Sequence, residues 1–112
     1  MGVAVPDITA PVIKNTNAVI ALTAKEAKLP DTTACIKCGA CASHCPFGIN
    51  PAVISKAYRD GDVEKMISVG AELCMLCGCC SFICPANRPL VQTNQLAKNA
   101  IRDYRNSQKE EK

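Results

Sequence analysis

The chain has 112 residues and a formal charge of +3, with nine cysteines, two phenylalanines, two tyrosines and no tryptophan. That length allows one small domain with short appended segments, and so few aromatic side chains leave little apolar surface to bury. No apolar run approaches the ~20 residues that cross a bilayer, and Met1–Leu22 lacks the basic-then-apolar pattern of a secretory signal, so neither a membrane span nor an exported disulfide scaffold is expected.

The first segment, residues 1–30, reads as an extended piece or linker belonging to an upstream domain. Its apolar, β-branched runs, Pro11-Val12-Ile13-Lys14 and Ala18-Val19-Ile20-Ala21-Leu22, flank an Asn15-Thr16-Asn17 turn. Thr23 and Glu26 have the spacing of a capping box, which predicts one helical turn before Pro30.

The dominant pattern follows. Cys35-Ile36-Lys37-Cys38-Gly39-Ala40-Cys41-Ala42-Ser43-His44-Cys45-Pro46 recurs 39 residues later as Cys74-Met75-Leu76-Cys77-Gly78-Cys79-Cys80-Ser81-Phe82-Ile83-Cys84-Pro85. Each copy reads C-x2-C-G-x-C-x3-C-P, the spacing by which bacterial-type ferredoxins hold a [4Fe-4S] cluster. Three closely spaced cysteines converge on one cluster where the backbone turns sharply. Gly39 and Gly78, lacking a Cβ, permit that turn. In two-cluster ferredoxins the fourth cysteine ligates the other cluster. The expected sets are therefore Cys35, Cys38, Cys41 and Cys84 for the first cluster, and Cys74, Cys77, Cys80 and Cys45 for the second. Cys79 falls opposite Ala40 when the copies are superposed, which makes it a bystander rather than a substitute for Cys80. Zinc is the main rival, because C-x2-C pairs also serve tetrahedral zinc. The third cysteine and the closing Cys-Pro of each copy are not required by zinc. A disulfide framework suits an odd cysteine count poorly, and unliganded core cysteines would not repeat so regularly.

Ligation also settles the charge. Eight thiolates and two oxidised cores bring the loaded chain to about −1, so the basic apo-chain is no argument for a nucleic-acid partner. With so small a core the metal-free protein is expected to be largely unfolded.

The 28 residues between Cys45 and Cys74 predict a helical hairpin. Asn50 caps and Pro51 starts a helix whose inner face is Val53, Ile54, Ala57 and Tyr58; Gly61 stops it. Asp62 begins a second helix with Val63, Met66 and Ile67 inward, ending near Gly70. A last helix runs from Pro89 to about Arg105, with Leu90, Ala97, Ile101 and Tyr104 as its stripe, and residues 106–112 read as a disordered charged tail. The fold class is mainly α: an α-helical ferredoxin, residues 31–105, with two [4Fe-4S] clusters and a short extended N-terminal segment. Lys37 and His44, against Leu76 and Ile83 in the second copy, suggest a more polar and higher-potential first cluster. Arg88, Lys98, Arg102 and Arg105 either form a basic face for an acidic redox partner or simply keep a helix face solvated.

The Pro11-Val12-Ile13-Lys14-Asn15-Thr16-Asn17 run, both cysteine motifs with their helical spacer, and Cys84-Pro85-Ala86-Asn87-Arg88-Pro89-Leu90-Val91-Gln92 resemble the C-terminal iron–sulfur region of the Rnf complex C subunit, part of an ion-translocating ferredoxin–NAD oxidoreductase. The resemblance covers about residues 8–103. The family's longer subunit also has a flavin- and nicotinamide-binding domain, for which this chain has no glycine-rich phosphate loop. The chain is thus either a piece of such a subunit or a separately encoded relay. The resemblance implies a module passing single electrons between a low-potential donor such as ferredoxin and a flavin/NAD site. It would have no catalytic residues and no enzyme activity of its own, and would lie on the cytoplasmic side of the cell membrane through partner subunits. The alternatives are an iron–sulfur subunit of a heterodisulfide- or cobalamin-reductase-like system, or a zinc-binding interaction module.

Overall fold

The computed structural model describes residues 4, 5 and 7–110 and divides into two compact units, Met1–Asp31 and Thr32–Lys112. In the first unit the chain is extended and every described residue is exposed. A turn at Lys14-Asn15 is closed by the Thr16 N–H donating to the Ile13 carbonyl at 2.9 Å. Helix α1, Ala24–Ala27, carries the expected capping box. The Thr23 N–H donates to Glu26 Oε2 at 3.0 Å, and the Glu26 N–H donates to Thr23 Oγ1 at 3.4 Å. No β-strand occurs among the described residues.

The second unit contains α2 (Ala40–Ser43), α3 (Pro51–Asp60), α4 (Val63–Ser68), a 3-10 turn (Ala71–Leu73), α5 (Cys79–Phe82) and α6 (Leu90–Glu110). The two short helices α2 and α5 lie in the two cysteine motifs and pack on each other, while α3, α4 and the 3-10 turn pack on α6. The caps are those the sequence predicts. Asn50 Oδ1 accepts from the Ala52 and Val53 N–H groups at 3.1 and 3.3 Å, Pro51 opens α3, and Asp62 Oδ1 accepts from the Lys65 N–H at 2.8 Å.

The core is one small cluster: Ile49, Ile54, Ala57, Met66, Ala71, Cys74, Ala97 and Ile101, with Tyr58, Val63 and Ile67 packed against it. A second group joins Cys41, Cys80 and Leu90. One expected stripe residue departs: Val53 is exposed at 36 %. Asn94, outside the expected stripe of α6, is fully buried.

The tail also needs correction. Helix α6 continues through Glu110, five residues past the expected end at Arg105. No glycine or proline interrupts Leu90–Lys112, and adding a residue to an existing helix is cheap compared with starting one. Residues 111 and 112 lie outside the described residues.

Truncating Ile101 to alanine removes a side chain that is only 1 % exposed at the α3–α6 contact, at an expected cost of about 2–4 kcal/mol. The Arg105–Glu72 ion pair, 2.6 Å apart, is roughly half exposed, and Arg105→Ala is expected to cost no more than about 0.5 kcal/mol after solvent screening. Anaerobic denaturant unfolding of the two variants measures the contrast.

Candidate iron–sulfur site

The two cysteine loops have matching backbones. Lys37 and Leu76, the same position in each copy, both sit at φ 57°, and Gly39 and Gly78 at 77° and 87°. Each glycine then opens a four-residue helix, its carbonyl accepting from Ser43 N–H at 3.1 Å in one copy and Phe82 N–H at 3.0 Å in the other. After the fourth cysteine the correspondence persists: Cys45 and Cys84 carbonyls each accept at 3.1 Å, from the Gly48 and Asn87 N–H groups. At Gly39 no other protein atom lies within 4 Å of where a Cβ would stand. The requirement for glycine there is therefore conformational rather than a matter of space. Left-handed residues spaced this closely turn successive amides to one side, the concave arrangement that receives anions and iron–sulfur clusters.

The two motifs enclose two cavities. The first, about 360 Å³, is lined by Cys35, Cys38, Cys41 and Cys84, together with Lys37, Lys56, Arg59 and Arg88. The second, a narrower space of about 20 Å³, is lined by Cys45, Cys74, Cys77 and Cys80, with Cys79, Asn94, Phe47 and Met75 beside them. The first cavity thus takes three cysteines from one motif and the last cysteine of the other; the second takes the four matching cysteines and Cys79 as a fifth. All nine cysteines are free thiols. Among the described residues no three Cys, His, Asp or Glu side chains converge as they would around a single metal ion. The thiols of each set ring a common space instead.

The thiols differ in their proton affinity. Hydrogen bonds from the Cys79 backbone and side chain hold the Cys77 thiol below its ordinary value, and the same side-chain contact raises Cys79. Burial pushes Cys80 up, with the neighbouring Cys74 and Cys77 adding to it. Cys79 is exposed at the edge of the second cavity, next to the cysteines it would assist.

Several side chains depart from their expected places. His44 does not line the first cavity; its Nδ1 lies 2.9 Å from the Ala40 carbonyl, folded back on its own turn. The anticipated basic face does not form as a unit. Lys98 Nζ donates to the Cys74 carbonyl at 2.7 Å, Arg105 pairs with Glu72, and only Arg88 reaches a cavity. Lys56 and Arg59, which sequence reading did not single out, line the first cavity with Lys37. Asn94 was also missed. It is fully buried at the second cavity, its Nδ2 lies 3.5 Å from Cys74 Sγ, and its Oδ1 has no partner among the described residues. The available signal was a polar residue four positions after Leu90 and three before Ala97 on an otherwise apolar stripe.

Residues 27–85 match the family model described as 4Fe-4S dicluster domain. The chain belongs to this family. It is 43 % identical over 101 residues, 90 % of its length, to the C subunit of the ion-translocating oxidoreductase complex of Rhodobacter capsulatus. To the protein of the same name from Methanosarcina acetivorans it is 35 % identical over 105 residues, 94 % of its length. It is 38 % identical over 91 residues, 81 % of its length, to the C subunit of the Na(+)-translocating ferredoxin:NAD(+) oxidoreductase complex of Acetobacterium woodii. The aligned part makes up 20 %, 24 % and 20 % of those relatives, so the chain spans about a fifth of their length. The resemblance to the Rnf C subunit therefore holds, and an iron–sulfur electron-transfer role goes with it. The donor set fits the group, since each cavity offers four thiols and each loop has an amide-turning backbone. No helix among the described residues is long and apolar enough to cross a membrane.

Replacing Gly39 by alanine puts a Cβ on a left-handed residue, at an expected cost of about 1–2 kcal/mol, with no steric clash to add. Anaerobic unfolding followed by visible absorbance checks this, and Gly78→Ala, at φ 87°, should carry the same conformational cost.

Proposed function

We propose that residues 31–105 form an electron-transfer module holding two [4Fe-4S] clusters, one on Cys35, Cys38, Cys41 and Cys84 and the other on Cys74, Cys77, Cys80 and Cys45. The observation that supports this is the lining of the two cavities: the eight cysteines separate into two sets of four, each borrowing one residue from the other motif. A [4Fe-4S] cluster supplies reversible one-electron transfer at low potential. The protein's own part is to hold and insulate the centres and to set their potentials. Asn94 donates toward Cys74 Sγ from a buried position, and Lys98 places its ammonium on the Cys74 carbonyl. Both arrangements stabilise added negative charge at that end of the second set.

The module would relay single electrons between a low-potential donor such as ferredoxin and a flavin/NAD site of an Rnf-type membrane complex. It would lie on the cytoplasmic side, held to the membrane by other subunits. The names of its relatives support the relay, since two describe ion translocation by an oxidoreductase complex and one names ferredoxin and NAD(+). On this reading the chain carries electrons and performs no catalysis of its own.

Anaerobically purified protein is expected to contain about eight iron and eight sulfide per chain, with spin coupling between two centres in the reduced-state EPR spectrum. Colourless protein holding zinc would refute the proposal. The crossed sets carry a sharper expectation. Cys84→Ser should disturb the same EPR signal as Cys38→Ser, and Cys45→Ser the same signal as Cys77→Ser. Pairing by motif instead would dismiss the crossed assignment.

Asn94→Leu removes the N–H donor while keeping the side-chain size. It should lower the potential of the cluster that Cys77→Ser perturbs and leave the other couple in place. An EPR-monitored redox titration with both couples unmoved would remove Asn94 from any tuning role.

A further inference from the structure

The two sites are related by the 39-residue repeat, yet only one has a charged rim. Lys37, Lys56, Arg59 and Arg88 line the first cavity; no Asp or Glu does. Three of these cations are exposed and Arg88 is half-buried. None makes an ion pair or side-chain hydrogen bond among the described residues. They come from three separate segments: the first cysteine loop, α3, and the loop leading into α6.

The repeat supplies an internal control. Thirty-nine residues along, the counterparts of Lys37, Lys56 and Arg59 are Leu76, Gln95 and Lys98, and the counterpart of Arg88 is Ile49. Three are neutral, and the fourth, Lys98, has its ammonium on the Cys74 carbonyl 2.7 Å away. No Lys, Arg, Asp or Glu lines the second cavity. The cysteine set and the same loop backbone are thus present at the second site without free cations, so the cysteine arrangement does not account for them.

We propose that the rim of the first cavity is the docking surface for an acidic one-electron redox protein, and that electrons pass between that partner and the chain at the first cluster. This rests on the ligand assignment of Cys35, Cys38, Cys41 and Cys84 proposed above. Cys35 and Cys38 are exposed, so the redox centre they would hold has an edge at the surface inside the ring of cations. Ile36 and Val53 add exposed apolar contact in the same rim. An apolar patch within a ring of one charge is suited to brief, oriented encounters with a protein of opposite charge. An anionic membrane would be drawn by the same cations, but seated there it would cover the edge through which an electron must pass. In the transfer the reduced partner loses one electron and is oxidised. A cluster held by Cys35, Cys38, Cys41 and Cys84 would take up that electron, its core passing from 2+ to 1+, with no proton or bond exchanged.

The test is stopped-flow reduction of the loaded protein by two donors, an acidic two-cluster ferredoxin and the methyl viologen radical cation, across a range of salt. Lys56→Gln/Arg59→Gln is compared with wild type and with Lys109→Gln, an exposed charge change at the far end of α6. The double variant should react about tenfold more slowly with the acidic donor at low salt. Its rate should converge with wild type at high salt, its viologen rate should stay within twofold of wild type, and Lys109→Gln should match wild type throughout. Equal slowing with both donors would mean that the cations act on the cluster's potential, and would overturn docking. Unchanged rates with the acidic donor would overturn it too, as would loss of binding to anionic phospholipid vesicles with donor kinetics intact. Failure of the underlying assignment reads differently: the wild-type protein would then lack the EPR signal that Cys38→Ser and Cys84→Ser share.

Discussion

The last cysteine of each motif lines the cavity of the other, and this exchange is the constraint on which the rest of the unit depends. The chain has little else to close it. Its fully buried large side chains are few, Ile54, Met66, Leu90 and Ile101 chief among the apolar ones, and a core of that size supplies only a marginal surplus over chain entropy. The proposed cluster ligation would couple the loops to one another in the way structural metals organise other small domains. Because Cys41 and Cys80 sit in the same buried group as Leu90, the first residue of α6, the loops are also fixed to the long helix. Ser81 strengthens that junction from α5, its hydroxyl accepting from the Val91 N–H at 2.9 Å.

On this symmetric frame the two sites have unlike surroundings, and the difference in solvent access decides what each set of groups can do. Cations at an exposed rim are screened by water and salt within about 10 Å. They act weakly on an inner potential and strongly on the approach of a charged partner. The Asn94 amide is buried beside Cys74, where a hydrogen bond is not diluted by solvent. Polarity alone, read from Lys37 and His44, suggested a higher potential for the first cluster. Of the two, His44 is turned onto its own backbone, and the buried contact to a cysteine sulfur is that of Asn94 at the second cavity.

The cysteine spacing, the Asn50, Asp62 and Thr23 caps and the helical spacer were legible because each is a local signal whose physics is complete within a few residues. What escaped depended on the partner face. Val53 fits a 3.6-residue stripe, but its side of α3 faces the first cavity rather than the core. Lys56 and Arg59 look like an ordinary solvated helix face until the cysteine loop is placed beside them. Asn94 reads as an interruption of a stripe because its reason, the Cys74 sulfur, lies 20 residues away in sequence. The end of α6 was misread from composition: Arg105-Asn106-Ser107-Gln108-Lys109 is polar, yet the Ser107 hydroxyl donates to the Asp103 carbonyl at 3.1 Å and the helix simply continues.

The exchange of cysteines also sets how the two sites communicate. Cys41 lines the first cavity and Cys45 the second, four residues apart across α2; Cys80 and Cys84 repeat this in reverse across α5. Both connections are short, and α2 and α5 pack on each other. In the proposed module an electron at either site would therefore be close to the other, and its direction would be set by the difference in potential between them. The repeat makes the two loops alike, so the unlike rim and the unlike burial are what the chain would supply toward that difference.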